Sequence, residues 1–291
     1  MNSRSQLVMA IFSTFVAIGN AQPSTTGLAS NEATKTKSAI ERGYEYLRLS
    51  IDEELNLLPE YRGASTYWLY HDNYLAAKVL RARHPSLAER IEKSIAAFGV
   101  GKSGKIEILY GATDGFPFRE YQLALVKKLG DKSIKTERTT DQAFKGWRSY
   151  ADLLFLSAIA HSQLERAADH DTAIADINAG YKLWDGIGFR DAVVANNERY
   201  ATYKLALAIV AHDRTSQYQS MQRSIDTSLL QIMSTIERLL SLQHQDDGWI
   251  TDYRKDGTPV GKANVETTCL VILALEALLP HATETADLAN R

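Results

Sequence analysis

What this 291-residue chain has least of is cysteine: Cys269 stands alone, so no internal disulfide can form and stability has to come from burying a core. Paired Cys-x-x-Cys zinc and redox motifs are excluded with it. An excess of charge of one sign is also missing. Against 35 Asp and Glu stand 33 Lys and Arg, and a formal net charge of −2 gives no general attraction to nucleic acid or to anionic lipid. No Asn-x-Ser/Thr acceptor occurs, so a secreted form would carry no N-glycan. His-Glu-x-x-His, a Gly-rich phosphate loop and Gly-x-Ser-x-Gly are absent too. The seven histidines are scattered, and a lone His71 beside Asp72 rarely makes a metal site, so no metal and no cofactor is expected.

What is present is an ordinary globular composition, 45% hydrophobic and 23% charged, long enough for one large domain. The N-terminus has the layout of a secretory leader. Arg4 precedes an apolar stretch from Leu7 to Gly19, and Gly19-Asn20-Ala21 is a small-x-small cleavage site, which predicts a signal peptide over 1–21. That stretch of about 13 residues is short for a bilayer core of about 30 Å, which favours a cleaved leader over an uncleaved anchor. A Ser/Thr/Gly-rich connector follows over 22–36, then the main domain over 37–281 and a C-terminal tail over 282–291. The expected location is extracellular, with no membrane contact once the leader is removed. Nothing in the sequence sets an oligomeric state.

From Lys37 onward the chain falls into segments of helical period separated by Gly, Pro and Asp clusters. Helices are predicted at Lys37 to Glu54, Tyr67 to Arg83 behind a Thr66 cap, Ser86 to Phe98, Trp147 to Leu164, Ala167 to Tyr181, Tyr200 to His212, Tyr218 to Leu242 and Asn264 to Leu279. Residues 104–140 read differently. Ile106 to Tyr110 and Tyr121 to Leu125 are short and β-like, and Gly130-Asp131 is a turn, so an inserted β-hairpin is expected there. The even-numbered helices are apolar on all sides, as in Leu205-Ala206-Leu207-Ala208-Ile209-Val210, whereas the odd-numbered ones carry a polar face. Alternating buried and half-exposed helices predict an all-α fold, an incomplete α/α toroid of helical hairpins with a small β insertion; an irregular helical bundle is the alternative. Two similar loops, Trp184 to Asp191 and Asp247 to Tyr253, support the repeat.

The apolar helices begin oddly, with polar and aromatic first turns that would converge on one mouth of such a ring. Charge on a buried helix needs a partner or a cavity. Asp72, Glu266 and Tyr203 are therefore the candidate catalytic groups. Trp68, Tyr70, Asn73, Trp147, Tyr150, Arg199, Tyr200, Asp247, Trp249, Asp252 and Asn264 are the candidate substrate-binding set. Two carboxylates across an aromatic mouth suit acid–base work on a glycosidic bond, and a tyrosine near an arginine suits elimination. Plainer readings stand beside these: Asp72 as a structural ion pair, and Glu266 as a salt-bridge partner of Arg148 or Arg199.

Gln245-Asp246-Asp247-Gly248-Trp249, followed by Asn264-Val265-Glu266-Thr267-Thr268, resembles the Gln, Gly and Trp repeat segment of the terpenoid cyclase and protein prenyltransferase toroids, over about 35 residues. The resemblance implies an α/α toroid. It does not extend to activity, because neither the Asp-x-Asp-Asp motif of the squalene-type cyclases nor the Asp, Cys and His zinc set of the prenyltransferases is present. In general plan the chain is also similar to six-hairpin glycosidases and toroidal polysaccharide lyases. Three functional expectations follow: a secreted hydrolase or lyase acting on carbohydrate, a noncatalytic extracellular protein binding a glycan or another protein, and a cyclase-like enzyme on an apolar substrate.

Overall fold

A computed structural model describes residues 25–100, 105–112, 118–216 and 229–279. The leader expected at 1–21 and the tail at 282–291 lie outside the described residues, as does the first half of the helix expected from Tyr218. No helix among the described residues is long and apolar enough to cross a membrane.

The helices follow the apolar periods closely. They are α1 (Thr25–Leu49), α2 (Tyr70–Leu80), α3 (Pro85–Ala97), α4 (Ala151–Ser162), α5 (Ala167–Tyr181), α6 (Ala192–Asn197), α7 (Thr202–Ser216), α8 (Leu229–Ser241) and α9 (Val265–Leu278). Pro85 opens α3 because a first-turn proline gives up no hydrogen bond, and Leu87, Ala88, Ile91 and Ile95 bury one face of it. The apolar helices lie in the centre: α9 packs on α2 and α7, and α7 on α4, with α1, α3, α5 and α8 against them. Helix α1 begins well inside the expected connector. Glu32 pairs with Lys35 one turn on at 2.8 Å, and Thr36 is buried, so this polar stretch is held as helix.

Strands overturn the all-α expectation. One sheet has the order β1 (Tyr67–Leu69), β3 (Lys132–Ala143), β2 (Arg119–Leu129), and the other the order β4 (Tyr200–Ala201), β5 (Trp249–Tyr253), β6 (Pro259–Asn264). The chain is a mixed helix and sheet protein, and the expected incomplete toroid of helical hairpins is not shown. The reason is visible in the starts of the central helices. Tyr67-Trp68-Leu69 and Tyr200-Ala201 favour extended backbone, and each finds a partner far along the chain: Trp68 pairs in parallel with Ile134, and Tyr200 antiparallel with Tyr253. Trp68 therefore does not share a helical face with Asp72.

The inserted hairpin forms as expected around Gly130, whose φ of 60° suits glycine at the turn between Leu129 and Lys132. Residues Lys105–Tyr110 instead make a 3-10 turn, with Ile106, Ile108 and Leu109 buried. The two similar loops each close with one antiparallel bridge, Trp184 to Phe189 and Gln243 to Trp249, and the Tyr253 hydroxyl joins them by donating to the Ile187 carbonyl at 2.9 Å.

Candidate active site

The first turns of α4, α7 and α9 open onto one pocket of about 270 Å³, contributing Asp152, Tyr203 and Glu266 in turn. His71, from the first turn of α2, reaches the same space. The inserted segment lines the same pocket, with Lys105 from the 3-10 turn, Tyr121 and Leu123 from β2 and Glu137 from β3. Apolar side chains such as Leu156, Leu207 and Leu270 fill the gaps between the polar groups. The hairpin is thus a wall of the pocket, and not an ornament on the rim.

Asp152 is aimed by two neighbours. Its Oδ2 accepts from the Tyr203 hydroxyl at 3.0 Å, and the Lys204 ammonium lies 3.8 Å from its Oδ1. Lys204 is buried and bonded to Asp191, whose carboxylate also accepts from the backbone N–H of Ala151 at 3.1 Å and of Val193 at 3.0 Å. One aspartate therefore ties together the starts of α4, α6 and α7. Burial, and then the Asp152 charge, push the Tyr203 hydroxyl well above the usual tyrosine range, so it remains a proton donor near neutral pH.

The floor is unbalanced in charge. Asp72 is 1% exposed, and neither of its oxygens has a hydrogen-bond partner. Burial, followed by the charges of Glu266, Glu60 and Glu137, raises its carboxyl well above the ordinary aspartate range. Burial also raises Glu266, with Asp152 and Glu60 adding to the effect and Lys105 opposing it. Glu266 lies deep in the fold yet keeps some exposure to the pocket. Burial lowers the imidazole of His71. Glu137 is raised by burial and partly restored by Lys105 and His71. Lys105 resists its own burial because Glu137, Tyr121 and Asp152 hold its ammonium charged, and it sits 3.8 Å from the centre of the Tyr121 ring.

Of the three expected catalytic groups, Glu266 and Tyr203 line the pocket and Asp72 lies behind its floor. The expected binding residues do not line it, and most have structural work. Trp68 is buried in the core beside Leu57 and Ile134. The Tyr70 hydroxyl donates to Glu107 at 3.3 Å. Asn73 clamps the backbone, accepting from Leu58 N–H at 2.7 Å and donating to the carbonyls of Leu58 and Leu69 at 2.9 and 2.8 Å. Trp147 packs edge-on against Phe118, and Tyr150 against Phe144. Tyr200 stacks on Tyr253 and donates to Asp185 at 2.6 Å. Trp249 is fully buried, its indole N–H on the Leu239 carbonyl at 2.8 Å. Asn264 caps α9 by accepting from Thr267 N–H at 2.8 Å. Asp247 turns a loop at a φ of 75° and pairs with Arg42 at 3.3 Å. Asp252 sits on β5 between Ala201 and Val260, and burial raises its carboxyl against the opposing effects of Thr251 and the exposed Arg199.

Arg148, a possible partner for Glu266 on sequence grounds, bonds Asp176 instead, at 2.7 Å. Lys105, Tyr121, Glu137 and Asp152 also line the pocket, and none of them belongs to the site set expected from the sequence. Only Asp152 carried a local signal, a charge in the first turn of an otherwise apolar helix.

No model of a known protein family matches the sequence, and no curated protein is similar to it.

Proposed function

We propose that this pocket is the active site of an exported enzyme that hydrolyses or eliminates across a glycosidic linkage, taking one sugar-sized unit at a time. The observation that carries the reading is the Tyr203–Asp152 pair sharing with Glu137 one mixed polar and apolar pocket. A volume of about 270 Å³ falls just below the range of roughly 300 to 1,000 Å³ typical of small-molecule sites, which suits a single ring and not a polymer. Carboxylates and Lys105 match the hydroxyl groups of a sugar, and the Tyr121 ring and the leucines match its apolar face.

In hydrolysis, Glu137 protonates the leaving oxygen while Asp152 takes a proton from the attacking water. In elimination from a uronate unit, Lys105 offsets the sugar carboxylate, Asp152 takes the proton from the carbon beside it, and Tyr203 protonates the leaving oxygen. The charged lining disfavours the cyclase-like alternative, which needs an apolar cavity. Incubating the chain with a panel of neutral and uronate-containing oligosaccharides, and separating saturated from unsaturated products, tests the reading. Turnover with release of one terminal unit supports it; no turnover on any member counts against it.

A further inference from the structure

We infer that His71, Asp72 and Glu266 form a binding site for one divalent cation of the zinc or manganese kind at the floor of the pocket. One ligating atom from each residue lies within 4.8 Å of those of the other two. The imidazole Nε2 of His71 and Oδ1 of Asp72 are 3.3 Å apart. Donors around a four-coordinate ion with bonds of about 2.1 Å are separated by about 3.4 Å. The first pair already has that spacing, and a Glu266 carboxylate oxygen lies within 4.8 Å of both donors.

Burial leaves two of the three residues without partners for their polar atoms. Asp72 is 1% exposed and His71 is 8% exposed, yet both Asp72 oxygens and the His71 Nδ1 lack hydrogen-bond partners. Buried polar atoms are almost always satisfied, and a carboxylate with two orphaned oxygens is a costly thing to keep. The surroundings add negative charge. Glu137 and Asp152 line the same space with Lys105 as its one lysine, and Glu60 acts on both Asp72 and Glu266. A dication relieves that excess.

The donor set points to the kind of ion. One imidazole with two carboxylates suits zinc or manganese better than calcium, which prefers six or more oxygens. His71 and Asp72 are neighbours in α2, and Glu266 belongs to α9, which packs against it, so the ligands come from two rigid elements. His71 and Glu266 also line the pocket. The remaining coordination positions therefore face the cavity, where a water or a ligand oxygen can enter, as open metal sites require.

The test uses the full chain, freed of metal with a chelator and titrated with Zn²⁺ or Mn²⁺ by calorimetry and thermal melting. The site predicts one ion per chain and a melting temperature that climbs with ion concentration. Glu266→Gln should bind roughly 100-fold more weakly or worse, since even residues that only support metal ligands cost about 10- to 100-fold. Asp152→Asn, in the same pocket but outside the trio, should keep the one-ion stoichiometry. Pulsed EPR of the Mn²⁺-loaded wild-type chain should show one imidazole nitrogen, a readout that needs no variant to fold. Absence of stoichiometric binding, undiminished binding by Glu266→Gln or a Mn²⁺ spectrum without imidazole nitrogen would each overturn the assignment. Because binding is read without turnover, its failure leaves the acid–base reading standing, and the reverse holds as well.

Discussion

Tyr203 and Asp152 begin two different central helices and meet at 3.0 Å, hydroxyl to carboxylate, inside the pocket. Their contact shows how the fold makes a site: apolar helices fill the core, and the polar first turns they cannot bury there are delivered together at one end.

Replacing Tyr203 with Phe removes the hydroxyl and keeps the ring. Turnover should fall about a hundredfold if the hydroxyl transfers a proton. Stability should fall by only about 1 to 2 kcal/mol, since Asp152 keeps Lys204 nearby. Kinetics on whichever oligosaccharide is turned over, alongside urea unfolding, separates the two effects.

Asp191→Asn should be the most damaging single change near the site. It strips the bonded partner from Lys204, which is 1% exposed and keeps only the Asp152 carboxylate at 3.8 Å, and breaking a buried pair costs up to about 3 to 5 kcal/mol. Adding Lys204→Met should recover part of that loss. Denaturant midpoints of the single and double variants read this directly, and equal midpoints would remove the pair from the account.

Asn73→Ala should cost about 2 to 3 kcal/mol, because it orphans buried backbone groups of Leu58 and Leu69. As Asn73 does not line the pocket, KM should not move. A raised KM at normal stability would return Asn73 to the binding role its position in the sequence suggested.

Acid should weaken the fold through His212. Burial pulls this imidazole down from 6.5 to about 4. The unfolded chain therefore takes up a proton below pH 6.5 that the folded chain refuses until about pH 4. The stability involved is whole above pH 6.5 and is lost as pH falls toward 4, by about 3 kcal/mol. Unfolding free energies measured from pH 7 to pH 4 should show this slope, and His212→Gln should flatten it.

The sequence was most legible where one periodicity acted alone. The predicted and observed bounds of the helix at Ala167–Tyr181 coincide, and the helix expected from Asn264 starts one residue later, with Asn264 as its cap. Legibility failed where pairing partners lie far apart. Tyr67 to Leu69 reads as helix because apolar helical residues follow at once, and only Ser133 to Lys135, supplied by the inserted hairpin, makes it a strand. The site shows the same division. Glu266 and Tyr203 stood out as polar groups on apolar helices, whereas Lys105 and Glu137 belong to exposed-looking segments whose role exists only once the hairpin folds over the helix ends. Trp68, Tyr200 and Trp249, aromatic members of the expected binding set, serve strands and core.

The most direct test of the catalytic reading is the kcat/KM of Glu137→Gln and Asp152→Asn on a cleaved oligosaccharide. The account predicts that each falls by about a hundredfold or more, while the melting temperature stays within a few degrees of the parent. Unchanged kcat/KM in both well-folded variants would contradict it.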